Sequence, residues 1–232
     1  MAWRIRSARR CQRFATAALQ LRHRPTRFVY WQAHMFGRRP LEDATYRRSQ
    51  AAAGLPMRPT AVSRGLAIRI LEIGDNHRER QRAGQLLLNE LSADAGLPHV
   101  QLVVADRPQV NDHDGHRLQS KTYGYYRCWF TDGEFRRARI RIYHRTAVRQ
   151  QVISPKVFLN TLLHEWVHHF DFVGLRLPRS PHTAGFFTRL RALADCLDVG
   201  MVLPPERDAD GNPIPRETRA ASTRLLAPGR GA

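Results

Sequence analysis

The stretch Ser154-Pro-Lys-Val-Phe-Leu-Asn-Thr-Leu-Leu-His164-Glu165-Trp166-Val167-His168-His169-Phe170-Asp171-Phe-Val-Gly174 decides how the rest of the chain is read. Ser154 offers an N-cap hydroxyl, and Pro155 fits the first helical turn, where its missing N–H is harmless. Gly174, with Pro178 beyond it, stops the run. The punctuation predicts a helix from about 155 to 173. At 100° per residue, Phe158, Leu159, Leu162, Trp166, Phe170 and Val173 form an apolar back. His164, His168 and Asp171 fall within roughly 60° of one another on the opposite side, together with Val157, Asn160 and Thr161. The helix thus carries two imidazoles and a carboxylate on a face that the core does not claim.

Two imidazoles one turn apart can reach one tetrahedral Zn²⁺ and leave room for a third protein ligand and a water. Glu165, next to the first histidine, is placed to take a proton from that water. With 11 histidines in the chain, the His-Glu-x-x-His spacing arises by chance in only about 2% of such sequences. One zinc per chain is the expectation. Two residues compete for the third ligand position. His182 follows the break at Gly174 to Ser180, in the expected first turn of the next helix, where the chain can fold back. Asp171 is the rival, and its place beside both histidines also suits a carboxylate that orients an imidazole. His169 lies about 100° round from His168, toward the apolar side, and reads as a packed structural histidine. His113 and His116, with Asp112 and Asp114, read as a solvated loop.

Working outward, Asn76 to Ala95 carries Ala83, Leu86, Leu87, Leu88 and Leu91 among charged residues and ends at Gly96-Leu-Pro98, the pattern of an amphipathic helix. His99 to Ala105 and Thr122 to Phe130 have strand composition, with a polar loop from Asp106 to Gln119 between them. Asp132-Gly133 marks a turn. Arg137 to His144 alternates Ala138, Ile140 and Ile142 with Arg139, Arg141 and Tyr143, as a half-buried strand does. Ser180-Pro181 and Gly200 bracket a second helix with the stripe Phe186, Leu190, Leu193 and Leu197.

The formal charge of +18 is uneven: residues 1–58 hold 13 arginines against Glu42 and Asp43 alone. Met1 to Leu41 has neither acids nor a sustained period, so residues 1–58 are expected to be a disordered Arg-rich arm or a misannotated leader. Lys121 and Lys156 are the only lysines among 38 basic residues. That skew is what codon usage in a GC-rich genome produces, so charge alone does not establish a polyanion-binding surface. Residues 59–203 form the expected domain and 204–232 a disordered tail. Cys11, Cys128 and Cys196 have no pairing or zinc-ribbon spacing and read as free thiols of a reducing compartment. No segment has the length of a membrane span, so a cytoplasmic protein with no membrane contact is expected.

From residue 76 to 198 the chain resembles the SprT-like zinc metallopeptidases, the family that includes Spartan. The likeness lies in a leading helix, three strands, the His164-Glu165-Trp-Val-His168 helix, and then His182-Thr-Ala-Gly185-Phe186, which echoes that family's H-G-x-x-F segment. It is that of a divergent member: Thr183 stands where the family has glycine, and no cysteine-based ribbon follows. The resemblance implies an α+β, zincin-like (minimal gluzincin or SprT-like) domain with a three-stranded antiparallel or mixed sheet. It implies that His164, His168 and His182 hold zinc and that Glu165 is the general base.

The expected activity is hydrolysis of a protein or peptide substrate. The strand 137–144 would be the sheet edge that pairs with it, and Tyr143 and His144 at its end would be transition-state donors. Two alternatives remain at this level. One is a DNA-associated protease, or a nucleic-acid-binding protein acting on DNA-bound proteins, with DNA held by the Arg-rich arm. The other is a non-catalytic metal-stabilised interaction module, against which Glu165 argues, because a purely structural zinc has no use for it.

Overall fold

The computed structural model of the protein describes residues 27–30, 44–113 and 118–201. The expected tail 204–232, most of the arm, Cys11 and His116 lie outside the described residues. The class is α+β. In chain order the elements are β1 (Arg27–Tyr30), α1 (Ala44–Ala51), α2 (Ala61–Glu72), α3 (His77–Asp94), β2 (Gln101–Pro108), β3 (Val110–His113), β4 (Leu118–Thr122), β5 (Gly124–Thr131), β6 (Glu134–Arg145), α4 (Pro155–His169) and α5 (Ala184–Cys196).

The cap expected at Ser154 is realised, and Asn76 caps α3 in the same way. Asn76 Oδ1 accepts from the N–H groups of Arg78 and Glu79 at the start of α3, and Ser154 Oγ accepts from Val157 N–H at the start of α4. Gly96 ends the α3 segment at φ +63°, a left-handed conformation natural to glycine. The main sheet has the order β1-β5-β6-β2. β5 and β6 form an antiparallel hairpin and β2 runs parallel to β6, so the sheet is mixed. Ala138, Ile140 and Ile142 of β6, with Leu102 and Val104 of β2, turn inward onto the apolar back of α4, where Phe158, Leu162 and Trp166 are fully buried. Trp166 keeps its indole N–H satisfied on Ser92 Oγ at 3.2 Å.

Several expectations are corrected. Strand β6 is not an edge: β5 and β2 flank it on both sides, because the parallel β2 takes the position a substrate would need. The segment 44–58 is not part of a disordered arm. Ala44–Ala51 is helical, Ser49 is fully buried and Met57 joins the core. Its polar composition hides this, since the helix is held by hydrogen bonds rather than by an apolar stripe. Helix α2 has no continuous apolar stripe to mark it in the sequence, because only Ala67 and Ile70 among its apolar residues are buried deeply, while Val62, Ile68 and Leu71 stay exposed. Within the polar stretch 106–119, Asp106 to Pro108 complete β2, and β3 pairs with β4 from Val110↔Thr122 to His113↔Leu118.

Helix α4 does not stop at His169 but widens into one π-turn, Phe170–Gly174, closed by Leu175 N–H on Phe170 O at 3.0 Å. Such turns insert one residue into a helix and recur at functional sites. Helix α5 begins later than Ser180: its N-cap is Thr183, whose Oγ1 accepts from Phe186 N–H. His182 therefore precedes the helix, and the Ser180 hydroxyl is left for another use. No helix among the described residues is long and apolar enough to cross a membrane.

Candidate metal centre

His164 and His168 project from one face of α4, one turn apart, and the loop after the π-turn returns His182 to meet them. The three Nε2 atoms form a small triangle, with sides of 3.2 Å (His164–His168), 2.9 Å (His164–His182) and 3.2 Å (His168–His182). Three nitrogens at about 2.05 Å from a tetrahedral metal ion stand about 3.3 Å apart, so this triangle is close to one face of such a coordination shell. These histidines can hold a metal ion. Phe186, fully buried, forms the floor beneath all three rings, with centroids 4.7 to 5.0 Å away.

The proton positions favour the same use. Ser180 has one hydroxyl hydrogen, and it is given to Asp171 Oδ2 at 2.7 Å. The 2.7 Å contact between Ser180 Oγ and His168 Nδ1 must then have the imidazole N–H as donor. His168 is thereby fixed as the Nδ1–H tautomer, with the Nε2 lone pair facing the triangle. Burial pushes the pKa of His164 down to about 3 and that of His182 to about 4, and His168 also lies far below the usual imidazole range. Neutral imidazoles are the form that binds metal.

Asp171 is not at the triangle. Its carboxylate accepts from Ser180 and pairs with Arg189 Nη2 at 2.8 Å, both side chains being wholly buried. Of the two sequence-level rivals, His182 converges on the histidine pair and Asp171 supports His168 through an intervening serine. Burial raises the Asp171 carboxyl pKa, while Arg189 and the Ser180 hydroxyl pull the other way. The same guanidinium also donates to Ser49 O at 3.0 Å and Ala52 O through Nη1 and to Ser49 Oγ at 3.2 Å through Nη2.

Glu165 lies beside the ligands, almost wholly buried, and its carboxylate accepts the backbone N–H of Tyr126 on β5. Burial raises its pKa to about 8, opposed by that hydrogen bond. Gly124 lets β5 pass this close: a Cβ there would stand 2.9 Å from Thr161 Cγ2 of α4 and 2.8 Å from Arg141 O. His169 is the packed histidine its helical position suggests. Its Nε2–H donates to Pro98 O at 2.8 Å, so Nδ1 accepts the Tyr126 hydroxyl at 3.0 Å.

Tyr143 and His144 are not at the centre. Tyr143 shares the outer face of the sheet with Arg139 and Arg141, away from α4, and stands in register with Ala105. His144 is buried with Nε2 on Asp75 O at 2.8 Å. Its backbone carbonyl accepts Ile153 N–H beside the start of α4, about ten residues or ~15 Å along the helix from His164. The side chains that sequence reasoning missed are Ser180, Arg189 and Ser49, while Phe186, expected in the apolar stripe of the second helix, also packs against all three histidines. Ser180 was concealed because Ser-Pro reads as a helix start.

Among the described residues Cys128 and Cys196 are free thiols. Comparisons with models of protein families, with curated proteins and with solved structures each gave no match.

Proposed function

We propose that the protein is a zinc-dependent metallopeptidase. The observation that carries this reading is the convergence of three imidazole Nε2 atoms within 3.2 Å of one another, with a buried acidic side chain, Glu165, next to the first of them on the helix. An all-histidine set with one position left open suits catalytic rather than structural zinc. Zinc bound there supplies Lewis-acid polarisation of the scissile carbonyl and lowers the pKa of a water.

Glu165 takes a proton from the attacking water and returns it to the departing amine nitrogen. Tyr126 N–H holds its carboxylate in place for both transfers. The substrate lies along β5, not β6. The backbone groups of Tyr123 face β6, since Tyr143 N–H donates to Tyr123 O at 3.0 Å. Those of Gly124 and Tyr126 therefore face the other way. Among the described residues, β1 pairs with β5 from Arg127 to Phe130. With no strand against it among the described residues, and with Tyr126 N–H engaged by Glu165, the Gly124 backbone and Tyr126 C=O are the edge to which an extended peptide would add.

The test is hydrolysis of an unfolded polypeptide such as casein by the zinc-loaded chain. Glu165→Gln keeps size and packing and is expected to lower turnover roughly a hundredfold while zinc content stays at the wild-type value. A Glu165→Gln protein that lost its zinc or its fold would give Glu165 a structural role and remove the catalytic reading.

A second reading, a peptidase working on DNA-bound protein, is favoured by the outer face of the sheet. Arg127 stands directly opposite Arg139, a like-charge cross-strand pair that costs stability. Arg127 lies over the Tyr125 ring at 4.6 Å and Arg137 over Trp129 at 4.5 Å. Arginines interleaved with aromatic rings suit single-stranded nucleic acid. Binding of a labelled oligonucleotide should weaken as salt rises, with a shallower slope in an Arg137→Gln, Arg139→Gln double variant. A slope unchanged by those substitutions would discard this face.

A further inference from the structure

Helix α1 contributes Ser49 to the neighbourhood of the metal centre, although it lies more than a hundred residues upstream of the ligands. Its side chain is fully buried, yet a hydroxyl adds no apolar area to the core. What it adds is a junction. Ser49 Oγ accepts Arg189 Nη2–H at 3.2 Å. Its own hydrogen is then available to Thr183 Oγ1 at 3.0 Å.

Each partner leads to a different metal ligand. Arg189 pairs with Asp171, which accepts from Ser180, which in turn accepts His168 Nδ1–H. Thr183 is the N-cap of α5 and the residue next to His182, so its position sets where that imidazole leaves the chain. The contact is built for closeness: a Cβ on Gly185 would stand 2.3 Å from Ser49 O, which only glycine avoids. Ala184 N–H also donates to Gln50 Oε1 at 3.0 Å, fastening the same turn.

We propose that Ser49 is a positioning residue for the metal centre: its single hydroxyl ties the supports of His168 and His182 into one unit, so that the fit of the triad to its metal depends on α1. The inference rests on the three histidines being a metal site, and not on that site being a peptidase.

Threonine and valine have the same shape and differ by a hydroxyl against a methyl group, so Ser49→Thr and Ser49→Val isolate the junction. Zinc affinity would be measured on the full chain by competition with a chromophoric chelator, and coordination geometry by the visible absorption of the cobalt(II)-loaded protein. Ser49→Thr should stay close to wild type in both. Ser49→Val should bind zinc roughly tenfold more weakly and show a shifted, altered cobalt band, as loss of a support behind a ligand does. Ser49→Ala, which removes only the oxygen and cannot clash, should follow Ser49→Val if the larger side chains disturb the helix pair.

Equal zinc affinity and identical cobalt spectra in Ser49→Thr, Ser49→Val and Ser49→Ala would overturn the proposal, even if melting temperatures differed, since Ser49 would then serve the fold alone. A wild-type chain that bound no zinc would instead strike the metal site itself.

Discussion

His182→Ala is expected to weaken zinc binding as severely as His168→Ala, each by roughly a hundredfold to a thousandfold. The magnitude follows from sharing a zinc binding free energy of about 10–16 kcal/mol over four coordination positions, which gives about 3 kcal/mol for each. The two should match because the Nε2 atoms are nearly equidistant, at 3.2 Å from each other and 2.9 to 3.2 Å from His164. Asp171→Asn should have a smaller effect, roughly tenfold to a hundredfold, because Asp171 reaches the histidine triangle only through Ser180 and His168. Competition titrations on the three variants check the order. His182→Ala with wild-type affinity would remove His182 from the ligand set.

Arg189→Met is expected to destabilise the fold by about 3–5 kcal/mol at neutral pH, the scale for removing one partner of a buried ion pair. Arg189 and Asp171 are both 0% exposed, so water cannot replace the lost guanidinium. The pH dependence has a definite sign. Burial already raises the Asp171 carboxyl pKa, and without Arg189 nothing cationic opposes the rise. A group whose folded pKa lies above its unfolded value stabilises the fold below the unfolded pKa and loses that contribution as pH rises through the folded pKa. The deficit of Arg189→Met relative to wild type should therefore shrink on acidification and be largest near neutrality. Chemical denaturation of both proteins at neutral and mildly acid pH measures it. A variant as stable as wild type at neutral pH would mean that the pair contributes nothing to the fold.

The parts of this protein that were legible in its sequence are those governed by local rules. Ser154, Pro155 and the apolar spacing of Phe158, Leu162 and Trp166 specify α4 without help from the rest of the chain. His164, Glu165 and His168 follow from that helix by angle alone, and so does the separation of His169 into the core. What was not legible depends on tertiary partners. Helix α1 lacks an apolar stripe, and its burial comes from Arg189 and Thr183, more than 130 residues away in sequence. The central place of β6 depends on β2 pairing with it in parallel, which the alternation of Ile140 and Ile142 cannot reveal. Ser180 and Thr183 both offer N-cap hydroxyls. The structure uses the second as the cap and sends the first to His168.

The measurement that bears most directly on the metal centre is elemental analysis of the wild-type chain purified without chelator, alongside His164→Ala, His168→Ala and His182→Ala. The account predicts about one zinc per folded wild-type chain and a marked loss in each variant, with a lower melting temperature accompanying the loss, because a metal bound to the folded state alone stabilises it. A folded wild-type protein that carries no metal and takes up none from added zinc would contradict it.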